Sequence, residues 1–241
     1  MVATPLPDSH EGARARLLGA ALELFASKGF EGTGLREVAT VAGVNHSLLI
    51  YHFGSMENLW KAVVAELFED YRRRVRERLS GLSALDPVTY LKVMIEDFTR
   101  FSMERPELHR IMTLEGRRHT PRMAWLVETY LKPAFEETAA VIARGQAENT
   151  IRSFDPALLY YAIISLCATP STFAPEIQAV TGRLVRNEAT VVEIAAMMAT
   201  LMFEPKTGVA ADRLGAASPL PSKSDSRSRG TDATRRRRRK G

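Results

Sequence analysis

Thr33-Gly34-Leu35-Arg36-Glu37-Val38-Ala39-Thr40-Val41-Ala42-Gly43-Val44-Asn45-His46-Ser47-Leu48-Leu49-Ile50-Tyr51-His52-Phe53 decides the fold. The spacing predicts two short helices, about Leu35 to Ala42 and then on to about Phe53, around a tight turn. Gly43 permits the sharp turn and Asn45 supplies a capping oxygen for the second helix. Ala39 and Gly43 are small where the two helices must approach. Val38, Val44, Leu49 and Phe53 form a miniature core between them. This is a helix-turn-helix, the geometry that puts a second helix into the major groove of DNA. Asn45, His46, Ser47, Ile50, Tyr51 and His52 are then left near the groove-facing side. Asn45, His46 and Ser47 sit at the helix N-terminus, where base edges are reached. Tyr51 and His52 offer hydrogen bonds to phosphates, the alternative being that they pack within the small domain.

Working outward, the apolar residues Leu17, Leu18, Ala21, Leu24 and Phe25 follow the spacing of one buried helical face, which predicts a helix over about Gly12 to Lys28. Gly29 suits the left-handed position that ends it. Ser55 caps a fourth helix, with Glu57 near its positive end. Asp86-Pro87 starts the next, and Arg105-Pro106 stops it. A helix over about Pro106 to Arg117 follows. Thr120-Pro121 starts a long one reaching about Gln146, kinked or split at Pro133. Asp155-Pro156 opens a helix through about Cys167, Pro170 and Pro175 break the chain, and the last helix runs from about Asn187 to Phe203. No strand and no repeat is read.

The chain has 241 residues, of which 45% are hydrophobic, the size and composition of a soluble globular protein. No run approaches the roughly 20 apolar residues of a membrane span, and Met1 to His10 lacks the pattern of a signal peptide. Cys167 is the only cysteine, so an intramolecular disulfide and a four-thiolate metal site are excluded, and a cytoplasmic location is expected. The net charge of +5 is unevenly placed: Pro205 to Gly241 holds 11 Lys/Arg and 3 Asp/Glu, leaving about −3 on the preceding residues. Met1 to Ser80 carries 10 basic and 10 acidic residues, so the reading head is electrostatically poor. Residues Arg235 to Lys240 can supply sequence-independent attraction to DNA, or form a solvated tail without that role.

The stretch Phe25-Ala26-Ser27-Lys28-Gly29-Phe30, then Thr33, Arg36-Glu37-Val38-Ala39, Ala42-Gly43-Val44, Tyr51-His52-Phe53-Gly54-Ser55 and Glu57-Asn58-Leu59, resembles the TetR family of one-component bacterial transcription regulators. The resemblance covers roughly Ala13 to Val63, and the all-helical plan carries it onward to Phe203. Three positions depart from the family's pattern. Gly34 stands where a capping Ser or Thr is usual, Met56 replaces a usual Lys, and the reading helix contains no Lys or Arg. Thr33, Arg36 and Lys61 complete the candidate DNA contacts.

The resemblance further implies a ligand pocket in the larger domain and a dimer that reads a palindromic operator. Met94, Phe98, Phe101, Met112, Trp125, Tyr130, Phe135, Tyr161 and Phe173 are candidate pocket residues, the alternative for each being plain core, and they favour a largely apolar ligand. Thr113, Thr129 and Tyr160 are polar groups that can orient it. Leu158, Ile164, Val191, Ile194, Met198 and Leu201 are the candidate dimer face, with Ala195 and Ala199 allowing close approach. Arg72, Arg73, Arg74, Arg76 and Arg78 read as a salt-bridged helix face. Glu115 and His119, four apart, read as a surface ion pair rather than a metal site. No nucleophile–base pattern or phosphate loop supports an enzyme, and no cofactor is expected.

The expected architecture is all-α. A flexible arm (1–11) leads into a three-helix DNA-binding domain with a helix-turn-helix (12–58). A larger helical ligand-binding and dimerisation domain (59–204) follows, and then a disordered basic tail (205–241). The expected function is a dimeric, sequence-specific transcription regulator, a repressor released by a small ligand and making no membrane contact. The alternative is a protein held on DNA without sequence preference by its basic tail.

Overall fold

Short polar residues set the starts of several helices in the computed structural model, which describes residues 10–79 and 86–203. The expected arm, apart from its last two residues, and the expected basic tail lie outside the described residues. The head consists of α1 (His10–Lys28), α2 (Leu35–Val41), α3 (His46–Phe53) and the start of α4 (Met56–Leu79). The body follows with α5 (Pro87–Glu104), α6 (Pro106–Glu115), α7 (Pro121–Leu126), α8 (Lys132–Ala147), α9 (Pro156–Thr172), α10 (Ala174–Thr181) and α11 (Glu188–Met202). The fold is all-α. The one extended pairing among the described residues is an isolated antiparallel bridge between Ile151 and Phe203.

The caps fall where their chemistry requires. Asp86 accepts from the Thr89 amide at 3.1 Å and from its hydroxyl at 2.6 Å, and these bonds hold the carboxyl below its usual range. Thr120, Asp155 and Asn187 cap α7, α9 and α11 in the same way. Ser55 accepts from the Asn58 amide at the start of α4.

Proline decides three departures from the expected boundaries. The helix interrupted at Pro133 is not broken. Instead a π-helical turn, Val127–Leu131, joins α7 to α8 directly ahead of the proline. One widened turn absorbs the ring that would otherwise clash with the preceding carbonyls. Pro170 lies inside α9, which runs five residues beyond Cys167 to Thr172. A proline in the last turn forfeits a single backbone bond, so the helix tolerates it. The break expected at Pro175 falls at Phe173, where α9 and α10 meet at 70°, and the proline sits in the first turn of α10, where its missing N–H would have had no helical partner.

The core is continuous from head to body. Leu17, Phe25, Val38, Leu49, Phe53, Leu59 and Trp60 are buried in the head, and Leu91, Ile95, Phe101, Ile163 and Cys167 in the body. The expected domain boundary at residue 58 falls inside α4, which packs on α1 and on α5. Burial pushes the Cys167 thiol up to about 12, so it is an inert core group. Gly145 marks the tightest backbone approach, since a methyl group there would meet the buried Ile151 side chain. Among the described residues no single helix is long and apolar enough to cross a membrane.

Candidate nucleic-acid interface

The reading helix is presented by three local devices. Gly43 adopts φ +62, in the left-handed region that glycine tolerates, and turns the chain sharply between α2 and α3. The Asn45 side chain accepts from the Ser47 amide at 2.8 Å and caps α3. Arg16 on α1 donates from Nε to the Ala42 carbonyl at 3.2 Å, tying the first helix to the turn. Leu49 and Phe53 then anchor one side of α3 in the core.

Asn45, His46, Ser47, Ile50 and Tyr51 are brought together on the opposite, exposed side, with Tyr51 75% exposed. His52 is half-buried between the rings of Tyr51 and Phe53. Arg36 is exposed in the first turn of α2, and Gly34 gives that helix no side-chain cap. Arg14, which sequence reasoning missed, is an exposed arginine whose guanidinium lies 5.7 Å from the Phe53 ring centre, beside the end of α3. Its place on α1, distant in sequence from the motif, hid it.

Two expected contacts sit elsewhere. Thr33 is 8% exposed and its hydroxyl donates to the Gly29 carbonyl at 2.8 Å. Its proton serves the end of α1. Lys61 pairs with Glu57 at 2.8 Å and lies 5.6 Å from the Trp125 ring centre, on the side of the head that faces α7. Lys28 pairs with Glu37, so this cation too is partly neutralised within the head.

In the body, Met94, Phe98, Phe101 and Tyr130 are buried, and Met112, Trp125 and Phe135 are half-buried. Most of them belong to two groups of aromatic contacts. Tyr71 contacts Phe98 and Phe101 at 5.2 and 5.1 Å, Phe68 stacks on Tyr130 at 4.7 Å, and Trp125 meets Tyr130 at 5.6 Å. Phe68 and Tyr71 come from α4 and were not among the expected pocket residues. His109 packs its ring on Phe98, with Nε2 2.7 Å from the Ser102 hydroxyl. Burial pushes this histidine down to about 4. Tyr161 and Phe173 are exposed, on the outer side of α9 and just beyond its end, and Tyr161 reaches the candidate residue Phe135 only through Tyr160. Thr113 and Thr129 are exposed as well, whereas Tyr160 is buried. A cleft of about 650 Å³ opens between α1 and α4, lined by Arg14, Leu18, Ala62 and Glu66 among others, outside the expected pocket set.

The expected dimer face divides in two. Val191, Ile194 and Met198 are buried in the chain's own core, and Ile164 is half-buried against it. Leu158 and Leu201 point outward, 74% and 54% exposed. Val192, Met197 and Tyr161 share that outward side of α9 and α11. The phase error has a simple cause. Both helices are apolar nearly all round, so periodicity did not say which stripe faces inward.

The arginine-rich end of α4 is salt-bridged as expected: Arg73 and Arg74 pair with Asp70, Arg74 also with Glu104, and Arg78 with Asp97. Glu115 does not form a surface pair with the exposed His119. It is buried and pairs with Arg122.

Comparison with known proteins places this geometry. Residues 17–63 match the model for bacterial regulatory proteins of the tetR family, and residues 87–202 match the tetracyclin repressor-like C-terminal domain. The HTH-type transcriptional regulator RutR of Escherichia coli (strain K12) is 30% identical over 175 residues, covering 71% of this chain and 80% of that protein. The ketosteroid transcriptional regulator KstR2 of Mycobacterium tuberculosis superposes with a TM-score of 0.65 at 21% identity, over 85% of this chain and 100% of that one. AibR, solved in complex with isovaleryl coenzyme A and operator DNA, gives a TM-score of 0.65 at 19% identity, over 80% and 99%. From the head's helix-turn-helix to the last helix of the body, the chain belongs to the tetR family of transcriptional regulators.

Proposed function

We propose that the protein is a dimeric repressor that reads a palindromic operator through α3 and is released when a small, largely apolar ligand enters the body. The observation that carries the reading is the exposed side of α3, where Asn45, His46, Ser47, Ile50 and Tyr51 stand together while Leu49 and Phe53 hold the helix in place. An N-terminal turn with exposed polar side chains suits base edges, and Tyr51 suits a phosphate. One reading helix covers few base pairs, and a two-fold dimer doubles the site. The outward apolar residues of α9 and α11 support that dimer. The buried aromatic contacts of the body support an apolar ligand, and AibR, crystallised with isovaleryl coenzyme A and operator DNA, offers a precedent for a small-molecule ligand on this fold. Release follows if ligand favours a spacing of the two heads that no longer fits successive major grooves.

The test is selection of duplexes from a random pool by the full chain, followed by a salt series on the selected duplex against its scrambled version. Selective, footprinted binding by two or four chains per site is expected. Equal binding to both duplexes would instead favour attraction by the basic tail alone.

A further inference from the structure

A buried cation lies in the packing between head and body, which also includes the contact of α1 with α6 and of Trp60 with Trp125. Arg122, on α7, is 8% exposed. Its Nε and Nη2 donate to Glu115 Oε1 at 3.2 and 3.1 Å. Glu115 is the last residue of α6 and is 4% exposed. Nη2 also donates to Glu31 Oε1 at 3.2 Å, and the guanidinium lies 3.6 Å from the centre of the Phe30 ring. Phe30 and Glu31 belong to the turn between α1 and α2, and Phe30 stacks on Phe25 of the head's core. Thr120 donates to the second Glu115 oxygen at 3.1 Å while capping α7, so the carboxylate is held from both sides.

Each of these contacts depends on the others. A planar guanidinium can fork onto a carboxylate and stack on a ring at once, which an ammonium cannot. The buried carboxylate of Glu115 needs Arg122 as its compensating charge. The head adds Glu31 and the negative face of Phe30 to the same cation. The N···O distances of 3.1–3.2 Å lie at the outer edge of good hydrogen bonds, so a shift of α6 by about an ångström breaks the fork.

We propose that Arg122 is the positioning residue that couples the body to the reading head: it grips the head through Phe30 and Glu31, and Glu115 at the end of α6 sets that grip. The proposal deepens the ligand-responsive reading above and rests on it for its regulatory meaning. The grip itself is a property of the protein without ligand or DNA, and is tested as such.

The experiment is amide hydrogen exchange on the full chain, comparing wild type with Arg122→Lys, Glu31→Gln and the balanced double variant Glu115→Gln/Arg122→Met. In Arg122→Lys and in the double variant, exchange in residues 35–53 rises by about tenfold while residues 91–101 keep their protection. Glu31→Gln, which alters only an exposed partner, gives a smaller rise in the same residues. Affinity for the selected duplex falls by roughly 5–150-fold in parallel, because a loosened head must be ordered on binding. An unchanged head in the double variant, or equal loss of protection in head and body, overturns the proposal, and the arginine is then only cement. Should Arg122→Lys fail to fold, Glu31→Gln and the double variant decide alone. Failure of wild type to select any duplex would sink the DNA-binding reading, while the exchange result would still judge the joint.

Discussion

Tyr51 and Thr33 lie in the same motif and are placed in opposite ways. Tyr51 stands largely in solvent at the far end of α3, so truncating it removes a contact surface and little of the core. Tyr51→Ala is expected to weaken binding to the selected duplex by about 1–3 kcal/mol with an unchanged melting temperature, read by titration and thermal unfolding. Thr33→Val should do the reverse and cost stability, because the Gly29 carbonyl loses its donor. His109 makes a pH prediction. Its imidazole is held neutral in the fold, near 4 against an ordinary 6.5, so the unfolded chain binds the proton more readily. Its contribution is complete above pH 6.5 and drains away as the pH falls towards 4, approaching about 3 kcal/mol. Unfolding midpoints of His109→Gln should therefore be less sensitive to acid across that window than those of wild type, and equal slopes would contradict the assignment.

At the scale of elements, α9 and α11 separate inward from outward duty. Met198→Ala, inside the core, is expected to cost about 2–4 kcal/mol of stability. Leu201→Glu, on the outward side, should leave the melting curve of the isolated chain intact and convert dimers to monomers, as light scattering would show. Dimers that survive Leu201→Glu together with Leu158→Glu would place the interface elsewhere. These helices also mark how far the sequence was legible. Asp86, Thr120, Asp155 and Asn187 announced helix starts because a short side-chain oxygen caps an amide wherever the helix ends up. Gly43 and Asn45 announced the turn for the same local reason. The inward stripe of an all-apolar helix is set by its neighbours and was not local information. Neither was the fate of Pro133, where the chain had a choice between breaking and widening one turn. The same limit explains the site. The exposed residues of α3 were legible from a single motif, whereas Arg14 beside Phe53 and the approach of Arg122 to Phe30 join segments far apart in the chain.

For the whole molecule, charge is divided by region. The first 80 residues are balanced, and those after Glu204 carry a net of +8. The head's own lysines are engaged by Glu37 and Glu57, so in the proposed complex Arg14, Arg36 and the dipole of α3 are the groups left to meet phosphates. Removing residues 220–241 is expected to lower affinity for any duplex and to flatten its dependence on salt, since fewer counterions are then displaced. An unchanged slope of log affinity against log salt would assign the whole electrostatic contribution to the head. Selectivity between the chosen and scrambled duplexes should survive the truncation if, as proposed, α3 reads the base edges.

The inward residues of α9 and α11 have one further consequence. Since Leu159, Ile163 and Cys167 of α9 and Val191, Ile194 and Met198 of α11 already fill the chain's own interior, the exposed residues of the same helices add little to folding. If the proposed dimer uses that outward side, drift at Leu158, Val192 or Leu201 alters partnership while leaving architecture alone. After a gene duplication, a few exchanges at such positions would let two sister regulators stop recognising each other and evolve as separate circuits.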